Sequence, residues 1–365
     1  MKYNKGEWTE AYVFIKLIAD GEVYASDEYL NRNEKRIYPI LKVFKDEIKC
    51  FYENDKEIGI VNILNFEGDL IDSLSSTEFI EIANESLKMI KEGKGRSFEI
   101  PILKNFLNEI GIKNFKGSST KKEDIKLEIM DLDLETAQIL TFTIKSYLGA
   151  KPTLLNASNL TNFLFKIEGI TPNEVKELNA INKKSDKHPL KTRFNIIYER
   201  FLKGKYNISL VNEDKILYQN LRLIDSNLPE ILSYILLYYY SHERISDISS
   251  LTEKLIEYNP LNLDNSEKNI FYKKKIRDFI ESITLGMMPN NKWNGKYEIT
   301  GGLLSVKNDG EILCHHLFYD IDPLKTFLFN NVKLESPSTS RHKYGELFIE
   351  NNETFFKLNL QLRIK

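Results

Sequence analysis

Asp124 opens a strand-like run, DIKLEIMDLD, and Lys145 stands in a second one, Phe142-Thr143-Ile144-Lys145-Ser146. A lysine set among apolar residues needs an acidic neighbour, and a carboxylate beside a fixed ammonium suits a metal site or the steadying of developing negative charge. Alternation on the first arm puts Asp124, Lys126 and Glu128 on one face and Ile125, Leu127 and Ile129 on the other. On the second arm Thr143 and Lys145 share a face opposite Phe142 and Ile144. An acid and a lysine therefore face one cleft, although a plain structural ion pair between them gives the same pattern. Two residues before the lysine stands Thr143. Its hydroxyl can orient a water but brings no charge.

The elements that must position these groups begin with a β-hairpin, since β-branched and apolar residues dominate both arms and an Asp-Glu-Thr cluster separates them. Ahead of it, residues 6–19 read as a helix ended by Asp20-Gly21. Trp8, Ala11, Tyr12, Ile15 and Ala19 form one apolar stripe and Phe14, Leu17 and Ile18 another, so this helix is expected to be largely buried. Glu7 and Glu10 nevertheless share one side of its first turn. They either favour the positive end of the helix dipole or pair with Lys5, or one of them points into the metal site. The stretch between predicts a helix over 34–44, strands over 48–52 and 58–64, and helices over 76–91 and 101–110. It carries no evident chemistry.

The chain has 365 residues, 42% of them hydrophobic, with 19 Tyr and 21 Phe, which predicts a globular α/β protein of two domains or one with large insertions. No apolar run approaches the roughly 20 residues that span a bilayer, so no membrane segment is expected. The N-terminal residues resemble no signal peptide, and Cys50 and Cys314 are too few for a disulfide framework, which points to the cytoplasm. Lysine outnumbers arginine 41 to 10, a bias of AT-rich coding. The net charge of −2 is not the footprint of a strongly basic nucleic-acid binder, so any phosphate contact must come from local patches. Three stand out: Lys121-Lys122 before Asp124, Lys273-Lys274-Lys275 with Arg277, and Arg341-His342-Lys343. A solvated surface explains charge runs equally well. His315-His316, adjacent on a predicted strand across Asn308-Asp309-Gly310, face opposite sides and make a poor zinc pair.

Several words of sequence, in order, carry a more specific resemblance. They are Lys5-Gly6-Glu7-Trp8 with Glu10, Asp124-Ile125 with Ile144-Lys145-Ser146, Gly149 with Pro152 through Ser158, Thr161-Asn162-Phe163, and SPSTSRHKYGE near the C-terminus. The chain resembles the HpaII family of type II restriction endonucleases across nearly its whole length, and its acid-lysine hairpin resembles the PD-(D/E)xK nuclease core. The resemblance implies a PD-(D/E)xK-like core with a central mixed sheet plus helical and β-rich additions. It implies Mg²⁺-dependent double-strand cleavage of unmethylated duplex DNA at CCGG, leaving 5′-phosphate and 3′-hydroxyl ends. Asp124, Lys145 and Glu10 would be the catalytic residues, and Asp124, Glu10 and Glu7 the metal-binding ones, with Glu128 a further substitute.

Sequence readout in the major groove asks for arginine against guanine and a carboxylate against the cytosine amino group. The polar segment around Arg341, with His342, Lys343 and Glu346, offers both; a surface turn is the alternative. Ser119, Lys121 and Lys122, in the small hydroxyl-rich loop before Asp124, and Lys151 and Asn156 are further expected DNA contacts. The expected division is a catalytic region over 1–185, with an insertion near 26–116, and a helical and β-rich region over 186–365 that contributes to DNA binding. The remaining partners are a second copy of the chain in a homodimer and a cognate DNA cytosine methyltransferase. Two alternatives stay open: a nuclease of the same core with another specificity, and a DNA-binding protein without cleavage, for which Thr143 is the argument.

Overall fold

A computed structural model of the chain describes residues 2–115, 122–182, 184, 186–211, 215–242 and 245–365. Helix α1 (Lys5–Asp20) starts where Asn4 and Glu7 cap one another: Asn4 Oδ1 accepts the Glu7 N–H at 3.0 Å and Glu7 Oε2 accepts the Asn4 N–H at 2.9 Å. It stops at Gly21, whose φ of 61° lets its N–H close on the Leu17 carbonyl. Both apolar stripes are buried, as the sequence requires.

Strands β1 (Glu22–Ser26) and β2 (Arg32–Lys45) follow. The second corrects the helix expected over 34–44. Pro39 would cost a helix interior one hydrogen bond and clash with the preceding turn, whereas in β2 it sits opposite Glu22 as the pairing with β1 ends. The meander β3 (Cys50–Asp55), β4 (Ile60–Asn65) and β5 (Leu70–Ser75) leads to α2 (Ser76–Glu92) and α3 (Pro101–Glu109), with α2 packed along α1. Then comes the expected hairpin, β6 (Ile125–Asp131) and β7 (Thr136–Ser146), in register from Ile125 opposite Phe142 to Asp131 opposite Thr136.

The rest of the chain runs β8 (Thr153–Leu155), β9 (Asn162–Glu168), α4 (Pro172–Ala180), α5 (Pro189–Leu202), β10 (Asn207–Leu210), α6 (Ile216–Ile224), α7 (Leu228–Ser241), α8 (Ile248–Tyr258) and α9 (Lys268–Leu285). It continues with β11 (Gly302–Val306), β12 (Ile312–His316), α10 (Ile321–Asn331), β13 (Val332–Leu334), α11 (Thr339–His342), β14 (Leu347–Glu350), β15 (Glu353–Asn359) and β16 (Leu362–Ile364). Two compact units result: residues 1–152 with 297–327, and residues 153–296 with 328–365. The expected boundary lay at 185. The stretch read as an insertion supplies β2 to the central sheet and α2 to the cover of α1.

Unit one is a mixed α/β structure around a nine-stranded mixed sheet, ordered β1-β12-β11-β7-β6-β2-β3-β4-β5, in which β1 also pairs with β2. That extra pairing closes six strands into a barrel-like ring, with β3 to β5 extending from it. The hairpin β11–β12 turns at Asn308-Asp309-Gly310, as expected, and lies parallel to β7 through β11 and to β1 through β12. Val23, Ile40, Val43, Leu127, Phe142, Ile144, Leu304 and Val306 share one core with α1. At the mouth of β11, Gly302 has φ 139°, and a Cβ there would overlap the His315 carbonyl oxygen across the hairpin. Gly302→Ala is expected to destabilise the protein by about 2 to 3 kcal/mol, read as a lower urea midpoint with unchanged slope, because backbone and not a flexible side chain is in the way. An unchanged midpoint would refute it.

Unit two holds a four-stranded sheet, β10-β9-β15-β14, and a three-stranded one, β13-β16-β8. The alternating C-terminal stretch KLNLQLRIK divides between β15 and β16. At the end of β15 Asn359 is fully buried, and its Nδ2 donates to Ser158 O at 2.8 Å and Asn162 Oδ1 at 2.7 Å. The lysine run on α9 is largely satisfied internally: Lys273 pairs with Glu253 at 2.8 Å, Lys274 with Asp278 and Lys275 with Asp225. Among the described residues no helix is long and apolar enough to cross a membrane.

Candidate active site

Asp124 is held just before β6 by its own backbone, whose N–H donates to Phe142 O at 2.9 Å. Its carboxylate turns to β7, where Oδ2 accepts from the Ile144 N–H at 2.6 Å and from Thr143 Oγ1 at 2.9 Å. Lys145 Nζ donates to the same Thr143 hydroxyl at 3.0 Å. The face shared by Asp124, Thr143 and Lys145 is thus real, and Thr143 serves as the bridge between acid and ammonium. The hydroxyl receives one proton and gives one, a relay that a carboxylate at this position would not make.

Glu10 reaches the same place from α1. The helix is pinned to the end of β7 by Thr9 Oγ1, 3.1 Å from Ser146 Oγ, one residue beyond the lysine. Burial, and then repulsion from Asp124, push the Glu10 carboxyl up to about 8, against the pull of Lys145 and Lys45. Glu7 adds a smaller repulsion on Glu10, but one of its own oxygens is engaged in the capping box. Glu7 thus caps the helix start, while Glu10 lies within electrostatic reach of Asp124. Glu128, the remaining candidate, lies 2.8 Å from Lys42 in an ion pair.

Lys122 also turns inward. Its N–H donates to Glu298 Oε2 at 3.0 Å, and burial followed by the like charge of Lys145 brings its ammonium down to about 8. Residues near Glu298 are stitched to β7 by Thr141 Oγ1, which donates to Glu298 O at 2.9 Å. Lys45, at the end of β2, and Glu298, in the segment before β11, were not legible as site residues, because both are remote in sequence and in no motif. Ser119 and Lys121, expected DNA contacts, lie outside the described residues. Lys151 is exposed, its Nζ 5.1 Å from the centre of the Tyr147 ring.

Among the described residues no group of three or more His, Cys, Asp or Glu side chains is placed to hold a metal ion alone. Two facing carboxylates suit Mg²⁺, which keeps several waters and takes one or two carboxylates besides substrate phosphates. The donor set of Asp124 and Glu10 fits that ion, since a cation held by both would relieve the repulsion that, after burial, raises the Glu10 carboxyl. The histidine pair is elsewhere: His315 stacks on Phe327 and His316 on Tyr38, with both rings pushed down to about 4 by burial.

Unit two gathers the other expected DNA contacts. Ser338 caps the short helix α11, leaving Arg341 exposed and Lys343 in a left-handed turn at φ 51°. Asn162 Nδ2 donates to His342 O at 2.8 Å, and Arg193, buried, donates to Gly345 O, so the segment read as a polar loop is a braced turn. An open groove of about 520 Å³ is lined by Asn156, Ser336, Ser338, Arg341, His342 and Arg363, among others. It brings Arg341, His342 and Asn156 together.

No solved structure matches the chain. The type II restriction enzyme HpaII of Haemophilus parainfluenzae is 36% identical to it over 366 residues, which cover 99% of this chain and 98% of the relative. The family model described as HpaII restriction endonuclease matches residues 4–364, and the chain belongs to that family of type II restriction endonucleases.

Proposed function

We propose that this restriction endonuclease cuts both strands of unmethylated duplex DNA at CCGG, with Mg²⁺ at Asp124 and Glu10 and with Lys145 beside the reacting phosphate. The observation that carries the site is the convergence of an acid before β6, a lysine on β7 and an acid on α1, all within electrostatic reach of one another. When bound, Mg²⁺ supplies Lewis acidity and lowers the pKa of its water. The chain's own residues do the rest. Asp124 stays oriented through the Ile144 N–H, so its charge is fixed before substrate arrives. Lys145 brings an ammonium that leans on Thr143 and can donate to the attacking water or a phosphate oxygen. Hydrolysis of this kind yields 5′-phosphate and 3′-hydroxyl ends.

The same reading makes the ring with its α1 helix a PD-(D/E)xK-type core in which Glu10 stands in for the acid replaced by Thr143. It assigns catalysis to the N-terminal region and DNA contacts to the C-terminal one, with Ser119, Lys121, Lys122 and Lys151 as further contacts. A homodimer would suit a two-fold symmetric target, a cytoplasmic location would suit its DNA, and a cognate cytosine methyltransferase would protect the host. Incubation of the protein with an unmethylated plasmid and Mg²⁺, followed by mapping of the ends, tests it; breaks at any other sequence would overturn CCGG.

Base reading falls to Arg341, exposed on a braced turn at the rim of the unit-two groove. A bidentate arginine–guanine contact is worth roughly 1–3 kcal/mol of discrimination. Arg341→Ala is expected to lower kcat/KM at CCGG by about ten- to a hundredfold and to narrow the gap to near-cognate sites. An Arg341→Ala enzyme that cuts at the wild-type rate and still rejects those sites would sink the assignment.

A further inference from the structure

Beside Lys145 the sheet carries a hydroxyl that folding does not use. Strand β11 runs parallel to β7 in a register that sets Leu303 opposite Thr143 and Ser305 opposite Lys145. Registered partners point to the same face of a sheet, so Ser305 lies on the lysine's side, while its neighbours Leu304 and Val306 join the core around α1. Ser305 has no solvent exposure, and among the described residues its Oγ is buried without a hydrogen-bond partner. A hydroxyl in that state weakens the fold, because it has given up water and gained nothing in return. Alanine or valine would serve a purely structural role on a buried strand better.

The neighbours of Lys145 show what the hydroxyl can do. On the β6 side the ammonium leans on Thr143 Oγ1, which in turn leans on Asp124. An ammonium has three donors, and a substrate phosphate that engages one of them draws the flexible side chain away from Thr143. Ser305 is the polar side chain on the β11 side, directly across from the lysine.

We propose that Ser305 is a positioning residue for the cleavage reaction: its hydroxyl supplies the Lys145 ammonium with an acceptor on the β11 side, holding it in place when a phosphate is bound. This rests on the reading of Lys145 as the catalytic lysine. The step involves no covalent change in Ser305 itself.

The test compares Ser305→Ala, Ser305→Cys and Ser305→Thr with wild type and with Lys145→Ala, by melting temperature, metal-free DNA binding and steady-state cleavage. Ser305→Ala and Ser305→Cys are expected to melt at or above the wild-type temperature, to bind DNA unchanged, and to lose about tenfold in kcat with KM unaltered. Ser305→Thr, which keeps a hydroxyl, is expected to recover most of that loss. A serine with no part in the reaction predicts the same stability in Ser305→Ala together with full activity. Wild-type kcat in Ser305→Ala alongside an inactive Lys145→Ala would overturn the inference and leave the reading of the site standing. Full activity in Lys145→Ala would overturn both.

Discussion

Replacing Lys145 with alanine is expected to lower double-strand cleavage by about a thousandfold while leaving the fold and DNA binding intact. The lysine is half-buried at the end of β7, and its ammonium touches Thr143 Oγ1 at 3.0 Å, so truncation opens no core cavity and strands no backbone group. What is lost is a positive charge held beside an acid and a reacting phosphate. Asp124→Asn should be equally slow for the complementary reason. An asparagine oxygen can still accept from Ile144 N–H, preserving the bend before β6, but carries no charge to hold a cation. Alanine at 124 would instead leave that N–H unpaired and confound loss of activity with loss of stability. Single-turnover cleavage of a labelled duplex, with binding measured by gel shift without metal, separates the cases. More than a tenth of wild-type activity in Lys145→Ala would remove this lysine from the chemistry.

Glu10→Gln should lose about a hundredfold or more in activity and yet melt higher than wild type in alkaline, metal-free buffer. Burial and Asp124 raise the Glu10 carboxyl from 4.5 to about 8, so the folded protein keeps a proton there that the unfolded chain releases. The stability linked to that proton is complete below the unfolded value and falls as pH rises through the folded one, a window from 4.5 to about 8. Glutamine has nothing to titrate, and its melting curve should lack that decline. Mg²⁺ competes with the same proton, so it should stabilise wild type more at the alkaline end of the window than at the acid end, with proton release on binding. Melting scans of both proteins with and without Mg²⁺ read every part of this. Parallel pH profiles for the two proteins would show that Glu10 is not the protonated group.

Local periodicity made much of the structure legible. The β6–β7 hairpin, the buried α1, α7 and the Asn308-Asp309-Gly310 turn each follow from residues within a few positions of one another. Asp124 and Lys145 were legible as a pair because alternation alone sets their face. Glu7 and Glu10 were not distinguishable, since both occupy the first turn of one helix and only the third dimension shows that Glu7 caps Asn4 while Glu10 meets Asp124. The apolar stretch around Tyr38 and Ile40 imitates a helical stripe in its spacing, and Pro39 is the one local residue that tells against a helix there. Ring closure was out of reach, for no local pattern says that β1 will pair with both β2 and β12. Ser305 lay hidden for the same reason: its position beside Lys145 depends on a parallel pairing across the whole of residues 153–296.

That pairing also sets an order of events during synthesis. Unit one is assembled from two stretches of chain separated by residues 153–296, so β7 leaves the ribosome long before β11 exists to lie against it. At ordinary elongation rates the interval is on the order of ten to thirty seconds. Throughout it the nascent chain already contains Asp124, Lys145 and Glu10, while the strands that close the ring are still unmade. A message truncated anywhere in that interval yields a product without β11, β12 and their contacts to β1 and β7. For an enzyme that cuts DNA, delayed closure ties competence to near-complete translation, and incomplete copies are left without the finished ring.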